Sequence, residues 1–319
     1  MISMTDIEAA RKRIDGIAYR TPLIRYAQPT ATGELHFKPE SLQPIGAFKL
    51  RGAYNKIAML PLEARRRGVV AFSSGNHAQG VAYAARHLGI PATVVMPASA
   101  PDVKKSATRD LGAKIIFLEE GTEEDWRQTA EQIAGERHLT MVTPFDDDDI
   151  IAGQATIGLE IVEDLPHVEI VLVPVGGGGL LSGVATAVKL SGSGARVIGV
   201  EPAGGDKALR SMRAGRIVEL SREQAVKTIA DGMRATRIGE ITFAHMRKFV
   251  DNIVTVSEEE IRGAMRQLAL GARLLAEPSG AVSFAAYLYR NAEIDCSGPA
   301  VAVISGGNVN PATLVEIIS

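Results

Sequence analysis

Gly46-Ala47-Phe48-Lys49-Leu50-Arg51-Gly52-Ala53 places one amine among small and apolar neighbours, just after the broken segment Ser41-Leu42-Gln43-Pro44. A partly desolvated ammonium loses stability in its charged form, so a lysine in such a setting becomes usable as an amine toward a carbonyl group. Taken by itself, the octamer equally describes a surface lysine on the first turn of a helix. Three further loops shift that balance. Ser73-Ser74-Gly75-Asn76-His77, Gly176-Gly177-Gly178-Gly179 and Ser305-Gly306-Gly307-Asn308 each follow an apolar run, and in an open α/β sheet such strand ends line the ligand crevice. Consecutive glycines expose backbone N–H groups without Cβ obstruction, and the positive end of a following helix completes an anion cradle. Phosphate suits it. No Gly-Lys-Ser/Thr follows the run, and the Gly-x-Gly-x-x-Gly pattern is not in its usual setting, so a small phosphorylated cofactor fits better than a nucleotide.

The elements that must hold these loops are legible as alternating short strands and amphipathic helices. Thr5 and Glu8 have capping-box spacing before a first helix with Ile7, Ala10 and Ile14 on one stripe. Leu35-His36-Phe37-Lys38 reads as a strand leading to the lysine loop. From Val69-Val70-Ala71-Phe72 onward come a helix over 78–88 ended by Gly89, a strand over 91–96, Pro101 in the first turn of a helix, the strand Lys114-Ile115-Ile116-Phe117, and a helix capped by Thr122. Three strands with helical crossovers predict a small parallel sheet. Asp146-Asp147-Asp148-Asp149 suits a solvated turn or boundary better than a metal site, because adjacent carboxylates on an irregular segment diverge. A second αβ series follows from Ala152, with strands over 168–175, 196–200 and 300–304, a helix over 180–189 and a capping box at Ser257-Glu258-Glu259-Glu260. The expected division is a large domain over 1–68 and 147–319, with 69–146 inserted as a smaller one.

Composition excludes several classes. The 319 residues are 46% hydrophobic, enough for a large core, and 35 Lys+Arg against 37 Asp+Glu give a net charge of −2, which argues against a nucleic-acid partner. Cys296 stands alone, so no intrachain disulfide framework or cysteine-rich metal site exists. The opening residues lack the pattern of a secretory signal, and no run is long and apolar enough to span a bilayer, which predicts a soluble, cytoplasmic protein with no membrane partner.

The ordered motifs Pro44-Ile45-Gly46-Ala47-Phe48-Lys49-Leu50-Arg51-Gly52-Ala53, Ser73-Ser74-Gly75-Asn76-His77-Ala78-Gln79-Gly80, Val175-Gly176-Gly177-Gly178-Gly179-Leu180, Glu277-Pro278-Ser279-Gly280 and Ser305-Gly306-Gly307-Asn308-Val309 resemble those of the fold-type II pyridoxal-phosphate enzymes. Within them the likeness is to the threonine/serine dehydratase and serine racemase group, and it covers almost the whole chain. It implies a two-domain α/β fold of open, mostly parallel sheets with helices on both faces, pyridoxal 5'-phosphate as cofactor, and a homodimer. By the same resemblance Lys49 binds the cofactor's aldehyde carbon, Gly176, Gly177, Gly178, Gly179 and Leu180 hold its phosphate, Asn76 meets its 3-hydroxyl and Ser305 faces its pyridine nitrogen. Phe48 lies against the ring, and Glu277 belongs to the cofactor-binding set. Ser73, Ser74, Gly75, Asn76 and His77 resemble the loop that takes the substrate carboxylate.

The chemistry implied is β-elimination from a 3-hydroxy amino acid, with Lys49 taking the α-proton and the products being a 2-oxo acid and ammonia. L-Threonine or L-serine is the expected substrate. Ser74 matches a serine that protonates the opposite face in racemases, so serine racemisation is the main alternative. 3-Hydroxyaspartate or another β-substituted amino acid is a second alternative, and a non-catalytic ligand-binding protein on the same fold a third. No metal is expected. Glu201 matches one carboxylate of a family-like divalent site, but Lys207 stands where the pattern supplies another, and its ammonium fits the space of a cation paired with Glu201.

Overall fold

Apolar β-branched runs bounded by glycine or proline become strands β1 (Ile24–Arg25), β2 (Leu35–Pro39), β3 (Val69–Phe72), β4 (Ala92–Pro97), β5 (Lys114–Leu118), β6 (Thr140–Met141), β7 (Ile170–Pro174), β8 (Arg196–Pro202), β9 (Asn252–Val256) and β10 (Ala300–Ile304). The computed structural model describes residues 1–28, 33–73, 75–100, 102–119 and 122–319. Among these, the strands form a six-stranded sheet ordered β1-β2-β10-β7-β8-β9 and a four-stranded sheet ordered β5-β4-β3-β6. Every pairing is parallel except β1 on β2.

Both sheets are covered on both faces, which is why their strands read as continuous apolar runs. Along β7, Ile170 and Leu172 face a core shared with Val282 and Phe284 of the helix Pro278–Tyr289. Val171 and Val173 point the other way, onto Leu181, Val184 and Val188 of the helix Gly179–Leu190. In the smaller sheet, Val69, Ala71, Val94 and Met96 pack on Ala78, Val81, Ala82 and Ala85 of the helix Asn76–Leu88. Val70, Phe72 and Val95 pack on Ala130 and Ile133 behind them.

Several local expectations shift. The first helix, Met4–Ile14, is capped by Ser3 with Asp6 rather than by Thr5 with Glu8, and its buried stripe is Ile7, Ala10 and Ile14. A side chain at the cap must accept the third N–H, and Ser3 Oγ accepts from Asp6 N at 3.3 Å. The smaller sheet has a fourth strand, β6, too short to show alternation, and β9 joins the larger sheet at its edge. Pro101 lies outside the described residues.

The aspartate run is a pair of helix caps rather than a solvated turn. Asp146 accepts the N–H groups of Glu240, Ile241 and Thr242 at 2.9–3.2 Å, at the start of the helix Glu240–Phe249. Asp147 caps the helix Asp148–Asp164, which starts four residues before Ala152, and Lys56 bridges Asp147 and Asp149 at 2.7 and 2.9 Å. Carboxylates at helix N-termini satisfy the orphan N–H groups and oppose the positive end of the dipole. Among the described residues no helix is long and apolar enough to cross a membrane, and no group of three or more His, Cys, Asp or Glu side chains is arranged to hold a metal.

Candidate active site

β10 is flanked by β2 and β7 in parallel register, so the segments leaving these three strands emerge on one edge of the sheet. Chain order reverses there, which makes that edge the ligand crevice of an open α/β sheet. The lysine loop follows β2, the glycine run follows β7, and Ser305 to Asn308 follow β10. Backbone contacts stitch the first loop to the third: Phe48 N donates to Ser305 O at 3.1 Å, Gly307 N to Gly46 O at 2.8 Å, and Ala47 bridges Gly306.

Lys49 opens the helix Lys49–Ala58 and is half-buried. Its Nζ donates to Pro144 O at 2.5 Å and lies 5.2 Å from the centre of the Phe48 ring. The next residue after Pro144, Phe145, packs against the glycine run, so close that a Cβ on Gly177 would sit 2.2 Å from its ring. Side chains are excluded here by space as well as by backbone conformation: Gly178 has φ +99°, and a Cβ on it would meet Thr242 at 2.9 Å. Thr242 Oγ1 also donates to Gly177 O at 2.9 Å, which pins the run from outside. The N–H groups of Gly176 to Leu181 donate to no acceptor among the described residues, and the helix Gly179–Leu190 begins within them. Such a converging set of donors at a helix N-terminus is an anion site.

Asn76 opens the helix Asn76–Leu88 and links the two sheets' loops. Its Nδ2 donates to Glu277 Oε1 at 2.6 Å, and its Oδ1 accepts from Asn308 Nδ2 at 2.8 Å. One N–H of the amide is left for another partner. Glu277 is buried, and its pKa is pushed up to about 7 by desolvation and the nearby Asp231 charge, against the pull of Lys104 and Asn76. Ser305 is buried, its Oγ 3.4 Å from Ser279 O. Gly75 N is turned to Ser73 Oγ at 3.1 Å. Ser74 lies outside the described residues.

The His77 side chain, at the end of the loop predicted to take the substrate carboxylate, is held by the fold. The ring is buried and its Nε2 donates to Val142 O at 2.9 Å. Desolvation and the Lys49 charge lower its pKa to about 3, so the ring is neutral and committed to a structural bond.

Sequence motifs passed over other contributors. Pro144, Phe145 and Thr242 reach the site by tertiary contact. Arg51, two residues after Lys49, lies at the centre of a buried ionic network. It binds Glu40 through Nε at 2.8 Å and Glu160 through Nη1 at 2.6 Å, while Lys38 Nζ lies 2.6 Å from Glu160. Two cations thus face two carboxylates. Lys207 is equally buried: its Nζ is 3.2 Å from Glu201 Oε1, 3.2 Å from Gly205 O and 3.1 Å from Met233 O. Glu201 further accepts the N–H groups of Ala208 and Leu209, and burial nonetheless raises its pKa, with Lys207 opposing the rise. The ammonium is thus bound by three oxygens, one of them a carboxylate oxygen of Glu201.

Known proteins share this chain's sequence and shape. L-threonine ammonia-lyase of Thermotoga maritima is 46% identical over 322 residues, covering 100% of this chain and 79% of that protein. L-threo-3-hydroxyaspartate ammonia-lyase of Saccharomyces cerevisiae is 41% identical, covering 98% of this chain and 95% of that protein. The crystal structure of a threonine deaminase from T.th. superposes with a TM-score of 0.91 at 41% identity, covering 97% of this chain and 99% of that one. Residues 14–306 match the family described as pyridoxal-phosphate dependent enzyme, and with an amine, an anion cradle and a buried serine converging on one sheet edge, the chain belongs to that family.

Proposed function

We propose that the protein is a threonine ammonia-lyase, converting L-threonine to 2-oxobutanoate and ammonia with pyridoxal 5'-phosphate. The observation that carries the reading is the convergence of Lys49, the N–H groups of Gly176 to Leu181, and Ser305 on one edge of the sheet. An aldehyde, a phosphate and a pyridine nitrogen need an amine, an anion cradle and a neutral partner, so these residues fit the cofactor. Relatives at 41–46% identity named L-threonine ammonia-lyase or L-threonine dehydratase support the substrate.

In this reading Lys49 holds the cofactor's aldehyde carbon, the glycine run and Leu180 take the phosphate, Phe48 borders the ring, and Asn76 offers its remaining N–H to the ring hydroxyl, with Glu277 fixing the amide. Ser73, Ser74, Gly75 and the His77 backbone receive the substrate carboxylate. When bound, the cofactor supplies the electron-withdrawing system that accepts the electron pair left at the substrate's α-carbon. With its amine free, Lys49 would be the base that takes the α-proton. Ser305 bears no charge, so it does not enforce protonation of the pyridine nitrogen, a setting that favours prompt loss of a β-hydroxyl as water. The enamine then hydrolyses to 2-oxobutanoate and ammonia.

Residues 1–68 and 147–319 form the cofactor-binding domain in this proposal, and 69–146 the domain that carries the substrate loop. A homodimer is proposed with it; light scattering that finds only a 33.9 kDa species overturns that part. A cytoplasmic setting agrees with a single, buried, unpaired Cys296, and a fractionation that places the protein elsewhere overturns it.

The deciding experiment incubates the purified holoenzyme with L-threonine and L-serine and follows 2-oxo acid, ammonia and the D-amino acid together. Elimination is expected to dominate, because a serine hydroxyl is a weak acid unless its neighbours tune it. Faster D-enantiomer than 2-oxo acid would make the protein a racemase. Metal dependence is a separate expectation: with Lys207 in the cation's place, chelator treatment should change activity by less than about twofold. A larger loss that Mg²⁺ or Ca²⁺ restores would reverse that assignment.

A further inference from the structure

Lys104 and Asp231 form an ion pair that joins the two sheets' units across the crevice. Lys104 belongs to the helix Asp102–Asp110 and Asp231 to the turn Asp231–Met233, 127 residues apart. The lysine side chain is 13% exposed and the aspartate 39%. The ammonium borders the substrate loop, since a Cβ built on Gly75 would lie 3.6 Å from Lys104 Nζ. On the other side, Gly232 donates its N–H to Ser279 Oγ at 3.0 Å, and its carbonyl would lie 3.1 Å from a Cβ on Gly176. The pair therefore stands between the 73–77 loop, the glycine run and the Glu277 turn. Glu277 feels both charges, Asp231 raising and Lys104 lowering its pKa, after burial.

From this placement we infer that Lys104 and Asp231 set which β-substituent the site accepts: Asp231 holds Lys104 when that group is neutral, and a substrate carboxylate takes its place when the substrate is a 3-hydroxy dicarboxylic amino acid. The inference rests on the ammonia-lyase reading and refines its substrate class. A nearly desolvated ammonium needs a counter-charge, whereas Asp231 reaches water and can leave at small cost. A methyl group displaces nothing and leaves the pair intact. A carboxylate gains Lys104 but meets repulsion from Asp231 as long as that residue stays, so Asp231 disfavours dianionic substrates.

The test compares kcat/KM for L-threo-3-hydroxyaspartate and L-threonine in the wild type, Lys104→Met, Lys104→Arg and Asp231→Asn holoenzymes. Relative to wild type, Asp231→Asn should raise the ratio of the first to the second at least tenfold, and Lys104→Met should lower it at least tenfold. Lys104→Arg should hold it within threefold. L-Aspartate, which has no β-hydroxyl to lose, gives a binding readout without elimination: its Kd should tighten in Asp231→Asn and weaken in Lys104→Met. Equal loss for both substrates in Lys104→Met with unchanged L-aspartate affinity overturns the inference, as does an unchanged ratio in Asp231→Asn. If Lys104→Met does not fold, the half-exposed Asp231→Asn variant still decides. Absence of L-threonine turnover in the wild type counts against the ammonia-lyase reading alone, because the L-aspartate affinities test the charge pair independently.

Discussion

Lys49→Ala should lose at least about 10³-fold in kcat/KM, together with the cofactor's covalent absorption band. Positioned proton-transfer groups contribute on the order of 10²–10⁴ to a rate, and here the same nitrogen is also the cofactor's anchor. The fold should survive. The Nζ donates to Pro144 O, and a bond of that kind contributes about 1 kcal/mol, small beside the stability of a domain. The measurement is borohydride reduction followed by mass spectrometry: the wild type should carry the reduced pyridoxyl group on residue 49, and the variant should carry none. A reduced adduct on another lysine would refute the role of Lys49.

Arg51→Met should destabilise the protein by about 3–5 kcal/mol, the range for removing one partner from a buried charge cluster. Glu40 and Glu160 would keep Lys38 beside them, and the fork that reaches Tyr19 O, Thr156 and both carboxylates would be gone. Arg51→Lys should also be costly, because one ammonium cannot replace five N–H donors in a plane. Chemical denaturation should show a lower midpoint with an unchanged slope. Acid should act on the same network. Burial raises the Glu40 pKa, but the Arg51 charge and hydrogen bonds overcome this and leave it below the ordinary value. A depressed carboxylate contributes stability above its unfolded pKa and loses it as pH falls through the folded one, so the wild-type advantage over Arg51→Met should shrink in acid. Equal stability of the two proteins at neutral pH would show that the network is dispensable.

The consequence for chemistry follows from position. Arg51 lies one half-turn from Lys49 on the same helix, and Gly52 lets that helix approach Gly153 until a Cβ on Gly153 would be 2.5 Å from the Gly52 Cα. The amine is thus placed by a glycine contact on one side and an ionic cluster on the other. Loss of Arg51 should weaken cofactor retention as well as stability.

Short-range chemistry made much of this protein readable from its residues alone. The glycine run after an apolar strand, the lysine among small neighbours, the capping box at Ser257 and the αL stop at Gly89 are local signals whose meaning does not depend on distant contacts. Parallel strands buried on both faces betray themselves as continuous apolar runs, so β3, β4, β7, β8 and β10 were visible. Strands of two residues such as β1 and β6 carry no period, and only pairing reveals them. Tertiary structure decided the rest, because a side chain's partner depends on where the chain returns. His77 ends a loop whose residues are close in sequence, but its ring is held by Val142, 65 residues away. Asp146 caps a helix 94 residues on, and Lys104 meets Asp231 across 127. Residue type limits what each group can donate or accept; distance in space, set by two sheets closing their loops on one edge, decides which of those bonds is made.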